Sequence, residues 1–241
     1  VVYKTLYKNK KMKAVKCISI FNMDKRKQIE NELKILTFFN NKCKYIVNFY
    51  GAYFYEGQVS LCLEYFNIGS LHDLIQQHNK LKSNIPKNIL SYILRNVLEG
   101  INALHSIKVI HCDIKPSNIL LNTKGNIKIT DFGIIHEFIT ENNTHFEYNI
   151  KENIKEHTNI MVGTSLYMSP ERLNNQLYSY SADIWSFGLC AAFAYLKRYP
   201  LIQNNNDDNT GYSSDNMSDH WSIIEAFVME SKTIKEYITN N

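Results

Sequence analysis

Residues 111–118 read His111-Cys112-Asp113-Ile114-Lys115-Pro116-Ser117-Asn118 and run directly into the apolar segment 119–121. They bring a carboxylate, an ammonium group and an amide together in one short loop. A second carboxylate follows at 131–133, in Asp131-Phe132-Gly133, after residues 126–130, whose alternating side chains predict a β-strand. One carboxylate and the amide can share a metal ion while the other carboxylate acts on a hydroxyl group. This combination suits phosphoryl transfer.

The composition is that of an ordinary globular protein: of 241 residues, 44% are hydrophobic and 21% are charged. The formal net charge is +4 and the lysines are scattered, so a basic group such as 25–27 indicates a solvated surface rather than a nucleic-acid or membrane interface. Five cysteines without a Cys-x-x-Cys pair predict free thiols in a reducing compartment. Because no membrane span or signal peptide is recognisable, we expect a cytoplasmic protein, with the nucleus as an alternative.

Three motifs in order resemble those of the eukaryotic protein kinases: His-x-Asp-x-Lys-Pro-x-Asn at 111–118, Asp-Phe-Gly at 131–133 and Ser-Pro-Glu at 169–171. Each motif alone is weak, but their joint order and spacing are typical of that family. The resemblance implies an α+β, bilobal protein kinase fold. A small β-sheet N-lobe would carry one helix, called αC in the family, and the larger C-lobe would be mainly helical.

Further segments resemble one group within that family, the dual-specificity mitogen-activated protein kinase kinases. These segments are 46–52, 161–173 and 180–189. Lys115 agrees with that group, because tyrosine kinases have an arginine pattern in this loop. Relative to the family, the chain lacks the glycine-rich loop at its start and the final helices at its end, so we expect the sequence to be a fragment.

The implied division is 1–67 for the N-lobe and hinge and 68–241 for the C-lobe. Within the C-lobe, two polar segments interrupt the expected pattern. Residues 141–159 predict an insertion in the activation loop, and residues 204–219 predict a low-complexity insertion.

Periodicity predicts the regular elements. Strand-like runs that flank tight turns predict two hairpins, at 1–7 with 12–18 and at 46–55 with 58–66. Apolar residues at every third or fourth position predict helices at 25–39, 89–104, 184–195 and 221–238.

Three polar side chains are predicted to have structural roles. Ser70 precedes an amphipathic segment and is suited to cap its helix. By resemblance to the family, Asp183 would anchor the backbone of the loop 111–118. In the same way, His111 would stack against Phe132 and take no part in proton transfer.

The resemblance places phosphate-binding residues in the N-lobe. Lys16 ends Ala14-Val15-Lys16, which is similar to the family's Val-Ala-Ile-Lys motif, and would bind the α- and β-phosphates of ATP. A glutamate of αC would pair with it. We prefer Glu32 to Glu30, because Glu32 lies four residues before the apolar Leu36 on the same side of the helix.

The resemblance also implies an adenine pocket between the lobes. Backbone groups of the hinge, from Glu64 to Phe66, would bind the edge of the adenine ring. Apolar side chains would enclose the ring: Val2 and Ala14 above it, Leu120 below it and Leu63 as the gatekeeper.

Four residues are implied to carry the chemistry. Asp113 would orient the substrate hydroxyl group and accept its proton. Lys115 would neutralise the charge that develops on the γ-phosphate. Asn118 and Asp131 would hold Mg²⁺ through hard oxygen ligands.

Cys112 departs from the family, which usually has an arginine there that binds a phosphate on the activation loop. A neutral thiol cannot form such charge-assisted bonds. At the family's spacing, its two phosphorylated positions fall on Glu156 and Ile160, which accept no phosphate, and the nearby Thr158 is the alternative site. We therefore expect packing and the insertion, rather than double phosphorylation, to set the activation loop.

The resemblance implies a kinase that uses ATP and Mg²⁺ and acts on Ser or Thr of a protein substrate, with Tyr as a further acceptor. That substrate would be a mitogen-activated protein kinase in a signalling cascade. The alternative is a pseudokinase scaffold that binds nucleotide or partner kinases without efficient catalysis. A metabolic phosphotransferase is a third class, and the peptide-docking segment at 163–171 argues against it. We expect neither nucleic acid nor a membrane as a partner.

Overall fold

The computed structural model describes most of the chain up to residue 200. The described residues are 1–6, 11–21, 23–137, 165–174 and 176–200. The predictions for 141–159, 204–219 and 221–238, and those for Glu156 and Ile160, lie outside these residues.

A four-stranded antiparallel sheet forms the first part of the fold, in the order β1-β2-β4-β3. Its strands are β1 (Val2–Leu6), β2 (Met12–Ser19), β3 (Phe49–Tyr55) and β4 (Gln58–Glu64). Both predicted hairpins are present, although the second is shorter than 46–66 because its outer residues lie outside the strands. Gly57, at φ +74°, permits the tight turn between β3 and β4 because it has no Cβ.

Helix α1 (Met23–Phe39) is the one helix among the described residues of this first part and includes the predicted range 25–39. Its apolar side chains recur at helical spacing and face the sheet. Ile35, Leu36 and Phe39 belong to the same hydrophobic core as Leu61 of β4. This packing fixes the face of α1 that carries Glu32, which is itself buried.

The second part is mainly helical. Its described helices are α2 (Leu71–Lys80), α3 (Lys87–Ser106), α4 (Pro170–Leu173) and α5 (Ser181–Leu196). Helix α2 begins at the predicted cap, where the Ser70 hydroxyl accepts from the Asp73 N–H at 3.2 Å. The Asp73 carboxylate accepts in return from the Ser70 N–H at 2.8 Å. This capping box satisfies N–H groups that a first helical turn leaves unpaired.

Short strands hold the two loops that carry the polar motifs. They are β5 (Gly69–Ser70), β6 (Val109–Ile110), β7 (Ile119–Leu121), β8 (Ile127–Ile129) and β9 (His136–Glu137). Strands β5, β7 and β8 form one sheet, and β6 pairs with β9. The loop 111–118 connects β6 to β7, and residues 131–133 follow β8, so both loops begin at buried strands.

The predicted α+β fold with two lobes is confirmed. One hydrophobic core includes residues of both lobes, among them Leu36, Leu104 and Phe132. None of the five cysteines forms a disulfide, as predicted. Within the described ranges, no helix combines the length and apolar character needed to cross a membrane.

Leu104→Ala tests the packing of α3 into this core. Leu104 has no exposed surface, so the change should leave a cavity and lower the free energy of unfolding by about 2–5 kcal/mol. Leu98→Ala makes the same chemical change on the same helix, where the side chain is 40% exposed, and should cost about 1 kcal/mol or less. Urea unfolding of both variants measures the difference. Equal losses would contradict the assignment of Leu104 to the core.

Candidate active site

One buried carboxylate fixes the backbone at the start of the loop 111–118. Asp183, near the start of α5, accepts hydrogen bonds from the N–H groups of His111 at 2.8 Å and Cys112 at 2.9 Å. Its Oδ2 atom also lies 2.8 Å from Nε2 of His105. The predicted anchoring by Asp183 is therefore present in the structure. Cys112 is held in the left-handed backbone conformation, with φ +66°.

Asp113 is buried, and two residues of the same loop orient its carboxylate. Nζ of Lys115 lies 2.8 Å from Oδ2, and Nδ2 of Asn118 donates to that oxygen at 2.9 Å. The Asn118 amide also donates to the Asp113 carbonyl at 2.8 Å. The loop thus brings three predicted site residues into one hydrogen-bonded unit.

Lys16 on β2 lies between two carboxylates from different parts of the chain. Its Nζ is 2.9 Å from both carboxylate oxygens of Glu32 and 3.0 Å from Oδ1 of Asp131. The partner on α1 is therefore Glu32 and not Glu30, which is exposed and pairs with Lys34 at 3.6 Å. No sequence pattern predicted the contact between Lys16 and Asp131. The fold brings these two residues together from distant parts of the chain.

One ammonium group between two carboxylates leaves this ion cluster with an excess negative charge. Burial raises the pKa of Glu32 to about 7, while Lys16 opposes the shift and Asp131 adds to it. Burial would also raise the pKa of Asp131, but Lys16 outweighs it and lowers that pKa. Although burial lowers the pKa of Lys16, the two carboxylates outweigh it and raise the pKa overall. As the pH falls, the cluster therefore takes up its first proton on Glu32.

The donor atoms near Asp131 fit a magnesium ion. The Asp131 side chain is 43% exposed, and among the described residues its carboxylate bonds to Lys16 alone. Asn118 uses its amide nitrogen for Asp113, which leaves the amide oxygen as the ligand atom. The described part of the chain has no group of three or more His, Cys, Asp or Glu side chains that could hold a metal. A small number of protein ligands is enough for Mg²⁺, because water molecules and phosphate oxygens supply its remaining ligands.

The predicted adenine-enclosing residues of the N-lobe share one face of the sheet. Val2 lies opposite Lys16, and Ala14 lies opposite Leu63, so each pair projects to the same side. Ala14 and Lys16 also share that side, because they are two residues apart on β2. Val2 is exposed, Leu63 is buried, and Leu120 of β7 is half-buried on the other lobe.

The hinge segment is partly engaged within the protein itself. The Glu64 N–H donates to the carbonyl of Asn48 at 2.9 Å, and the Phe66 carbonyl accepts from the Gly69 N–H at 3.3 Å. The Glu64 N–H group and the Phe66 carbonyl group are therefore already used, and adenine would bind the remaining backbone groups of residues 64–66. The Glu64 side chain lies 2.8 Å from Nζ of Lys128, a buried lysine. Strand alternation gave no reason to expect this ion pair in the core.

His111 and Phe132 meet as predicted, but not in the predicted geometry. Their ring centroids are 5.3 Å apart and the ring planes make an angle of 62°, so the contact is edge-to-face and not a stack. An edge-to-face arrangement directs the positive ring edge at the negative face of the other ring. Nδ1 of His111 also accepts the Asp113 N–H at 3.1 Å, which leaves the ring a structural role.

Comparison with known proteins identifies the family. The family model described as the protein kinase domain matches residues 1–239. The chain belongs to this family. The predicted family is thus confirmed, and the catalytic-loop and Asp-Phe-Gly motifs stand in a kinase domain.

The kinase domain is also similar to three curated proteins. It is 38% identical over 205 residues to mitogen-activated protein kinase kinase 3 of Arabidopsis thaliana. This alignment covers 83% of this chain and 36% of that protein. It is 38% identical over 193 residues to mitogen-activated protein kinase kinase 1c of Physcomitrium patens, with 78% and 50% covered. It is 41% identical over 183 residues to the dual specificity mitogen-activated protein kinase kinase dSOR1 of Drosophila melanogaster, with 75% and 40% covered. The aligned part therefore spans half or less of each relative's length.

The kinase domain also contains a contact between Arg172 and the catalytic loop that the motifs did not reveal. Nη1 of Arg172 donates to the carbonyl of Cys112 at 2.6 Å. Arg172 directly follows Ser169-Pro170-Glu171, and this neighbourhood is the one sequence signal that could have pointed to it.

Glu32 should make the stability of the kinase domain depend on pH. Its pKa rises from 4.5 to about 7 on folding, so the folded state binds this proton more tightly than the unfolded state. Its stabilising contribution is complete below pH 4.5 and is lost as the pH rises through about 7. Relative to Glu32→Gln, the wild type should therefore lose free energy of unfolding on the order of 3 kcal/mol across this range.

Urea unfolding at a series of pH values measures this difference. Glu30→Gln is the matched control, because the same change falls on the same helix at an exposed side chain. Its pH profile should follow that of the wild type. Parallel profiles for the wild type and Glu32→Gln would show that Glu32 titrates normally in the folded chain.

Proposed function

We propose that this kinase domain transfers the γ-phosphate of ATP to Ser or Thr of a protein substrate, with Tyr as a further acceptor. One observation carries the proposal: the Asp113 carboxylate is buried, and Lys115 and Asn118 hold it in a fixed orientation. The ion cluster around Lys16 supports it, because it supplies a fixed positive charge for phosphates and a carboxylate for a metal ion.

Asp113 is the proton acceptor in this proposal. Its carboxylate accepts a hydrogen bond from the substrate hydroxyl and takes the proton as the new oxygen–phosphorus bond forms, while the bond between the γ-phosphorus and the bridging oxygen breaks and ADP leaves. Lys115 and Asn118 orient the carboxylate beforehand, so little entropy is lost when the substrate binds. Lys115 also places a positive charge beside the reacting group, where negative charge develops.

Lys16 is the phosphate-binding residue of the N-lobe. Glu32 contacts its ammonium group from α1 and so keeps it at a fixed position on β2. Asp131 and Asn118 would hold a magnesium ion, which supplies neutralisation of the phosphate charges.

The substrate that we propose is a mitogen-activated protein kinase in a signalling cascade. The relatives of this chain are named mitogen-activated protein kinase kinases, and one of them is named as dual specificity. Segments 46–52 and 180–189 resemble the same group. Such a substrate would be met in the cytoplasm, or else in the nucleus, where we propose that the protein acts.

Asp113→Asn tests the proposed reaction. The measurement is Mg²⁺-dependent transfer of labelled phosphate from ATP to a panel of inactive mitogen-activated protein kinases. The variant should lose about 10²–10⁴-fold in rate, because an amide cannot accept the proton. Chelation of Mg²⁺ should stop transfer by the wild type.

Glu30→Gln is the matched control, because a carboxylate also becomes an amide there, on an exposed side chain of α1. Its transfer rate should equal that of the wild type. ATP binding, measured as a shift in melting temperature, should persist in Asp113→Asn. A wild type that binds ATP but transfers no phosphate would contradict the kinase proposal and favour a pseudokinase scaffold.

A further inference from the structure

The peptide bond between Cys112 and Asp113 is held at both ends. Its carbonyl oxygen accepts a hydrogen bond from Nη1 of Arg172 at 2.6 Å. Its N–H group donates to Nδ1 of His111 at 3.1 Å. This peptide bond directly precedes the side chain that we propose as the proton acceptor. Its orientation therefore decides the direction in which the Asp113 carboxylate points.

Cys112 has a backbone conformation that needs such support. Its φ of +66° lies in the left-handed region, where the Cβ atom is crowded by the backbone. Residues persist there when their surroundings fix them. Asp183 fixes the N–H of Cys112 at 2.9 Å, and Arg172 fixes its carbonyl group. Both bonds involve a charged partner and are therefore stronger than bonds between neutral groups.

Contacts outside the catalytic loop hold the Arg172 side chain in place. It lies on α4, and its guanidinium group packs over the ring of Tyr178, 5.3 Å from the ring centroid. Tyr178 is buried, so the ring is a fixed surface. A planar guanidinium group stacks well on an aromatic face and still has N–H groups to donate at its edge.

We propose that Arg172 is a positioning residue for phosphoryl transfer, because it holds the carbonyl of Cys112 and so fixes the direction of Asp113. The inference rests on the proposed function of Asp113. Arg172 acts through the peptide bond and contacts neither ATP nor the substrate hydroxyl. Its loss should therefore lower kcat and leave the KM for ATP unchanged, since the proposed phosphate-binding residue, Lys16, lies on β2.

Arg172→Met tests the inference, because it keeps an aliphatic stem over Tyr178 and removes the donor. Two quantities are measured: kcat and KM for ATP with an inactive mitogen-activated protein kinase as substrate, and amide hydrogen exchange by mass spectrometry. We expect kcat to fall about 100-fold, since a small misplacement of a catalytic group costs about that much. Exchange at the amides of Cys112 and Asp113 should become faster.

Two further variants separate positioning from general stability. Arg172→Lys keeps one charged donor on a side chain of similar length, and should restore most of kcat and of the amide protection. Asn79→Ala removes another bond from a side chain to a backbone carbonyl, that of Lys197 at 3.2 Å, elsewhere in the C-lobe. It should change neither kcat nor exchange in the catalytic loop.

Three results would overturn the inference: full kcat with normal exchange in Arg172→Met, an equal loss of kcat in Asn79→Ala, or rapid exchange of the two amides in the wild type. The last result counts whether or not a variant folds. If the wild type transfers no phosphate, the proposed function fails by itself. The exchange of Arg172→Met then decides the inference, because it does not depend on activity.

Discussion

The buried carboxylate of Asp183 accepts two backbone N–H groups, those of His111 and Cys112, and so ties α5 to the catalytic loop. A buried charge without such partners would cost several kcal/mol, so the helix and the loop are stable in this arrangement only together. The contact fixes the residue that precedes Asp113 in an unfavourable backbone conformation. Arg172 then holds the next peptide bond. The orientation of Asp113 thus depends on contacts outside the loop as well as on Lys115 and Asn118 within it.

Electrostatics impose a second constraint on the site. Lys16 is a single ammonium group between Glu32 and Asp131, and the three groups together carry an excess negative charge. The two carboxylates respond differently: the pKa of Asp131 is lowered, whereas that of Glu32 is raised to about 7. Asp131 therefore stays ionised, as its proposed role as a metal ligand requires, and Glu32 is the residue that accommodates a proton. The same excess charge favours a cation beside Asp131.

Contacts between the lobes converge on β8 and the residues that follow it. They are the ion pairs Lys16–Asp131 and Glu64–Lys128 and the bridge between Ile46 and Ile129. The buried lysine of β8 links this strand to the hinge, and the strand leads into Asp131-Phe132-Gly133. A relative movement of the lobes would have to break these ion pairs, one of them largely buried, which is costly. The position of the Asp131 carboxylate is thereby coupled to the arrangement of the lobes.

The sequence by itself determined helices α1, α2, α3 and α5, the two hairpins, the family and the choice of Glu32, because each depends on local spacing or on a motif within a few residues. Periodicity predicted α1 and α3, and one serine predicted the start of α2. Tertiary structure alone decided that Lys16 contacts Asp131 as well as Glu32. It also decided that Lys128 is buried against Glu64 and that Arg172 donates to the carbonyl of Cys112. These contacts join residues that are far apart in the chain. No local pattern specifies which distant backbone or charged group a side chain will meet, because the packing of the whole core sets that distance.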